Sequence, residues 1–313
     1  MSTKLSTLAL LFLPLLGCVE EIDLELPEVA PQLVVLSNFT TDQELQVSVS
    51  RTRSAVSDEV GTFLYYTDAD VRLWHGLDEI DRLEVVFPED ETQPPYYVTD
   101  GFEPLVGVLY TIRVNVAGFE EVVATSMIPR PVAIDAVGLS TKISGTGTED
   151  ESELQFEVQV RFTDPPGERN YYHLRFFQEL TRYRIEGNDT IVNPATTVRR
   201  LLQVRGLSDR LPYLTSEDGR GVLIQDDGLD GLVSEFVFSG LLRFNSQLYL
   251  PGNFVVELRS VSKEYYDFHA SVARQLNTNG PFSTGLDLND NIDNGVGSFA
   301  GFSTNTSSVV VPR

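Results

Sequence analysis

Few residue types in this chain can do acid–base or covalent chemistry, and their spacing narrows the choice further. There are three histidines, His75, His173 and His269, and one cysteine, Cys18, among 313 residues. Histidine is the natural general base near neutrality, with an unperturbed pKa of about 6.5. His75 follows Trp74 in an alternating stretch, His173 sits among aromatics, and His269 falls in a helical pattern. None has a metal-binding spacing such as H-E-x-x-H, so each is read as structural or exposed. No G-x-S-x-G occurs, which removes the usual sign of a serine nucleophile on a strand-to-helix turn. The 46 Asp and Glu residues form pairs everywhere. Two carboxyls across a glycosidic bond suffice for sugar hydrolysis, so their abundance has no specificity. No catalytic residue, metal ligand or cofactor is assigned.

Two acidic runs invite a calcium reading: Asp226-Asp227-Gly228-Leu229-Asp230-Gly231 and Asp287-Leu288-Asn289-Asp290-Asn291-Ile292-Asp293-Asn294-Gly295. An EF-hand loop wants glycine at its sixth position and glutamate at its twelfth. Counted from Asp287, those positions hold Ile292 and Ser298. The match fails, and turns built from residues that tolerate left-handed backbone fit both runs better. Four tyrosine pairs, Tyr65-Tyr66, Tyr96-Tyr97, Tyr171-Tyr172 and Tyr265-Tyr266, can offer rings for stacking on a planar ligand. On a strand, neighbours point to opposite faces, so one ring of each strand pair is expected in the core.

Cys18 has the clearest context. The opening MSTKLSTLALLFLPLLGC places a positive Lys4 before an apolar run from Leu8 to Leu16, then Gly17 and Cys18. That is the layout of an export signal over residues 1–17, too short to span a bilayer, which takes roughly 20 apolar residues. Leu15-Leu16-Gly17-Cys18 resembles a bacterial lipobox. In that chemistry the thiol is alkylated with diacylglycerol, cleavage falls between Gly17 and Cys18, and the new amine receives an acyl chain such as palmitate. Each buried methylene then contributes about 0.8 kcal/mol to membrane anchoring. The alternative is a plain secretory signal that happens to end in cysteine. A chance placement of the sole cysteine at this position is the weaker reading.

With Cys18 acylated the remaining body has no thiol, hence no disulfide and no cysteine metal site. The formal net charge of −23 becomes −24 once Lys4 leaves with the signal. This balance disfavours nucleic acid and broad adhesion to anionic lipid. Residues 18–30 form an acidic tether, and Glu20, Glu21, Asp23 and Glu25 resemble the signal that sends lipoproteins of Bacteroidota to the outer face of the outer membrane.

The elements that position these residues are strands. Leu33–Leu36, Leu45–Val49, Asp70–Trp74, Leu109–Val116 and Glu120–Thr125 alternate or run apolar at strand length. They predict an immunoglobulin-like antiparallel sandwich over 31–128. Met127-Ile128-Pro129-Arg130-Pro131 reads as a linker. A second β-rich domain over 132–313 follows, with strands at Leu154–Phe162, Tyr171–Phe177, Val198–Val204, Leu232–Phe238 and Phe254–Arg259 and a closing strand at Val309–Val311. Ser144–Ser152 reads as a flexible acidic loop, and Gly295–Phe302 as a glycine-rich segment. One amphipathic helix is expected near 262–277, capped by Ser262, with Tyr265, Phe268, Val272 and Leu276 on its apolar side. The fold class is mainly β.

Val256 to Phe268, Gly280-Pro281-Phe282-Ser283 and Asn291-Ile292-Asp293-Asn294-Gly295-Val296-Gly297-Ser298-Phe299, taken with the lipobox and Leu33-Val34-Val35, resemble a family of Bacteroidota lipoproteins catalogued as domain of unknown function 4249. The resemblance covers nearly the whole chain after the signal. It implies an outer-membrane lipoprotein facing the cell exterior, often encoded beside TonB-dependent transporters, and so a non-enzymatic accessory or ligand-capture subunit in nutrient uptake. It carries over no catalytic residues. Its glycines and tyrosines are read as fold determinants, with Gly295 and Gly297 permitting tight backbone and Tyr265 or Tyr266 docking the helix. Two other readings stay open: an enzyme degrading polysaccharide or peptide, and a structural or adhesion module.

Overall fold

Period-two alternation puts every second residue of a strand on one face, and a sandwich forms when two such faces close on each other. A computed structural model describes residues 30–53, 64–90, 92–146, 150–206, 213–216, 219, 221–277 and 288–311. Its first half comprises β1 (Leu33–Phe39), β2 (Gln46–Arg51), β3 (Asp70–His75), β4 (Asp78–Arg82), β5 (Glu84–Val86), β6 (Tyr96–Val98), β7 (Leu109–Asn115) and β8 (Val122–Met127). β4-β3-β7-β8 form one sheet, and β1-β2-β6-β5 belong to the other. Leu33, Val35, Phe39, Val47 and Val49 share a core with Val71, Leu73, Ile112 and Val114.

The second half holds β9 (Ile134–Gly145), β10 (Glu151–Thr163), β11 (Tyr171–Glu186), β12 (Asp189–Val192), β13 (Val198–Leu201), β14 (Arg205–Gly206), β15 (Tyr213–Thr215), β16 (Gly221–Gln225), β17 (Val233–Asn245), β18 (Tyr249–Val261), the helix α1 (Lys263–Asn277) and β19 (Gly295–Val310). β14-β17-β10-β9 form one layer, and β15-β16-β11-β18-β19 run in the other. Leu154, Phe156, Val158, Val160 and Phe162, the alternating residues of β10, lie in this second core with Phe176, Phe236 and Phe254. The chain is thus mainly β, two sandwiches with one α-helix among the described residues.

β19 joins the halves. Gly295 to Gly301 pair in parallel with β1, and Phe302 to Val310 pair antiparallel with β18, so one eleven-stranded sheet runs through both sandwiches. Ile292 and Phe299, late in the sequence, therefore complete the first core. The parallel pair departs from a purely antiparallel sandwich. It demands glycine: Gly297 sits at φ +130°, and a β-carbon there would lie 2.1 Å from the Val35 carbonyl oxygen.

α1 lies on the outer face of the long sheet. Ser262 caps it, its Oγ accepting from the Tyr265 N–H at 3.3 Å. The buried side runs through Tyr265, Tyr266, Ala270 and Ala273, while Phe268 and Val272 are half-buried at the flank. Two alanines let the helix approach closely, so the tyrosines supply the contact with Tyr171, Leu223, Val261, Ala300 and Phe302. The Leu276 side chain lies outside the described residues.

Candidate functional site

The first acidic run is a staple. Asp226 accepts from the Asn170 N–H at 2.8 Å, Asp227 from Arg169 Nη2 at 2.6 Å and Asp230 from the Gly167 N–H at 2.6 Å. Asp164, wholly buried, accepts from the Tyr172 hydroxyl and from the Gly231 N–H. Gly228 and Gly231 take left-handed backbone. Burial pushes the Asp164 carboxyl above its usual range, and burial likewise raises the Tyr172 hydroxyl. These oxygens thus bind the 164–170 loop to the 226–231 turn.

In the second run Asp287 lies outside the described residues, and the rest is a backbone clamp. Asn291 Nδ2 donates to the carbonyls of Phe299 (2.8 Å) and Thr125 (3.2 Å), and Asn291 Oδ1 accepts from the Phe299 N–H at 3.0 Å. Asn294, at φ 62°, then turns the chain into β19. Among the described residues no group of three His, Cys, Asp or Glu is placed to hold a metal ion.

The tyrosine pairs are mostly core. Tyr97 is buried, its hydroxyl accepting from the Ala69 N–H and donating to the Tyr66 carbonyl. Tyr66 packs edge-on against Phe119. Tyr172 faces the second core, and Tyr171 turns outward yet is buried because α1 covers it, its ring tilted against Tyr266 at 5.0 Å. Tyr96 borders a shallow groove with Leu36 and Pro94.

The histidines divide. His75 is exposed, with Nδ1 at 3.0 Å from the Leu109 carbonyl oxygen. His173 and His269 converge under α1, their ring centroids 6.5 Å apart. β11 presents His173 on its outer face beside Arg259 of β18, and α1 lowers Tyr265 onto it, with His173 Nδ1 at 3.0 Å from Tyr265 Oη. Arg259 Nη1 reaches the same oxygen at 3.4 Å while its guanidinium lies 4.2 Å over the Phe302 ring. Glu257 is shared by Arg259, at 2.7 Å, and Arg175, at 3.4 Å. The His269 ring packs, tilted by 41°, at 4.2 Å from the Tyr265 ring and reaches Asn38 of β1 at 3.4 Å. Burial, then Arg259, His269 and Arg175, hold His173 well below the usual imidazole range. The grouping shows in no local motif, since His173 and Tyr265 are 92 positions apart.

Elsewhere, a cleft of about 890 Å³ opens beside β9, β10, β14 and β17, lined by hydrogen-bonding and charged groups including Lys142, Gln155, Glu157, Gln203, Arg205 and Ser239. Phe156, Val204 and Leu241 add apolar surface, so its chemistry is that of a mixed polar and apolar binding surface. Gly17 and Cys18 lie outside the described residues.

Two sandwiches sharing one sheet, a docked α-helix and loops fixed by carboxylates define, among the described residues, a β-sandwich class of protein. The chain belongs to the family described as a domain of unknown function, DUF4249, which matches residues 19–308. A search of curated proteins finds none that matches.

Proposed function

We propose that the chain is a non-enzymatic lipoprotein of the bacterial outer membrane, anchored through Cys18 and facing outward, that captures a ligand for, or caps, a TonB-dependent transporter. The observation that carries this reading is the Leu15-Leu16-Gly17-Cys18 ending followed at once by the family match, which starts at residue 19. An anchor there leaves residues 18–32 before β1, a span of at most about 54 Å when fully extended. A body held that close to a membrane partner works at high effective concentration, so a weak contact suffices. In this reading the cleft beside β9 and β14, lined by both polar and apolar groups, is the capture surface.

Cys18→Ala tests the anchor. The wild-type chain should partition with membranes and yield an N-terminal fragment starting at an acylated Cys18, whereas the variant should keep its signal or appear soluble. An unmodified thiol on a chain that retains Met1 sinks the proposal. Recovery of the detergent-solubilised chain without any outer-membrane barrel, across repeated pull-downs, removes the transporter part.

A further inference from the structure

We propose that the cleft beside β9, β10, β14 and β17 takes acidic oligosaccharides, Arg205 and Lys142 receiving the acidic groups and Glu157 the hydroxyls. This rests on the cleft being the capture surface proposed above. Strand pairing sets the layout. On β10, Leu154, Phe156 and Val158 face the core, so Gln155 and Glu157 point to the outer face, where the cleft lies. Glu157 stands directly opposite Ser239 of β17 and Ser140 of β9, and Arg205 of β14 continues the row beyond Ser239. In the next row Leu241, Gln155 and Lys142 lie side by side. Strand spacing and rise put the α-carbons of the two cations on the order of 15 Å apart, with Glu157 between them.

All three charges are unpaired. The chain carries 46 acidic residues against 23 basic ones, yet among the described residues neither Arg205 nor Lys142 has a carboxylate partner. Glu157 likewise accepts no hydrogen bond there. Further along the same face of β10, Glu153 pairs with Arg243 opposite it at 3.3 Å and accepts from Gln155 at 2.8 Å. That ion pair lies outside the cleft, and the unpaired charges lie within it.

Two cations and one carboxylate make the lining net positive on a chain whose net charge is −23. The complementary ligand is therefore an anion. Guanidinium and ammonium groups donate to carboxylate or sulfate oxygens. An ionised Glu157 can only accept, so the same ligand must bring donors, as a sugar brings hydroxyls. Ser140 and Ser239 add hydroxyls on either side, and Leu241, 51 % exposed, offers an apolar face to ring C–H groups. An acidic peptide fits less well. β10 and β17 form the floor, and each already pairs with a strand on both sides, so a peptide backbone finds no free ladder to join.

Titration calorimetry of the full chain in detergent micelles tests this with trigalacturonate, sulfated maltotriose, plain maltotriose and tetraglutamate. An acidic sugar should bind, the uronate and sulfate arms telling which acidic group is taken, and plain maltotriose should bind at least roughly tenfold more weakly. Arg205→Gln and Lys142→Gln should each weaken acidic-sugar binding by roughly fivefold or more. Glu157→Ala separates a sugar from a bare anion: losing the hydroxyl acceptor weakens the first, whereas losing a repelling charge tightens the second. All three side chains are exposed, so the variants should keep the wild-type denaturation midpoint. The comparison of probes on the wild-type chain stands even where a variant fails to fold. Silence of both acidic sugars, equal binding of plain maltotriose, or tighter binding of tetraglutamate overturns the inference. So does tightening in Glu157→Ala, or indifference to both cation substitutions. Plain maltotriose or tetraglutamate held in the cleft would leave capture standing without the acidic sugar. The anchored-capture reading fails separately, on the Cys18 and pull-down results.

Discussion

Tyr172 donates its hydroxyl proton to Asp164, a carboxylate with no exposed surface. Burial raises the Asp164 pKa, and the bonds from Tyr172 and Gly231 pull it back down. Tyr172→Phe removes one of those bonds and leaves a buried anion underpaired, at a cost of about 1–3 kcal/mol. The deficit has a pH signature. A carboxyl whose folded pKa exceeds its unfolded one gains stability as it protonates, so the variant recovers part of its loss as pH drops from 7 toward 4. Urea denaturation of wild type and variant at pH 7 and pH 5 checks both statements; an equal deficit at the two values refutes the charge argument.

At the scale of elements, the parallel pairing of β1 with β19 rests on Gly297. Gly297→Ala places a β-carbon in contact with the Val35 carbonyl and strains a left-handed backbone, and a loss above about 2 kcal/mol is expected. Equilibrium denaturation with an unchanged m-value measures it; a loss under about 0.5 kcal/mol means the pairing tolerates a side chain. Legibility in the sequence follows the same physics. β10 was plain because Leu154 to Phe162 alternate without exception, and the helix because Ser262 caps a period of three and four. β9 escapes notice because it is an edge strand with Gly138 and Gly145, and its apolar residues are half-buried or, at Ile143, exposed. The start of β19 reads as a glycine-rich segment, whereas its glycines are what allow a central strand to approach two neighbours. Of the candidate site, each histidine is visible singly, but only the pairing of β11 with β18 and the docking of α1 bring His173, Arg259 and Tyr265 together.

At the scale of the molecule, β19 decides whether the two sandwiches are independent. Its first half completes the first core through Phe299, and its second half pairs along β18 at the edge of the other core. A strand common to both cannot unfold in one and persist in the other without leaving a row of unpaired backbone groups. The halves should therefore melt as one cooperative unit. The chain offers a clean reporter, since its single tryptophan, Trp74, lies in β3 of the first sandwich under the Arg113 guanidinium. Phe236 lies wholly in the second core, stacked on Phe162 at 5.5 Å. Phe236→Ala costs about 3–5 kcal/mol through lost burial and the cavity left behind. If the shared strand couples the cores, this substitution lowers the denaturation midpoint seen by Trp74 fluorescence as far as that seen by far-ultraviolet circular dichroism. A Trp74 transition that stays at its wild-type position, with a second, earlier transition in circular dichroism, would show two domains that merely touch.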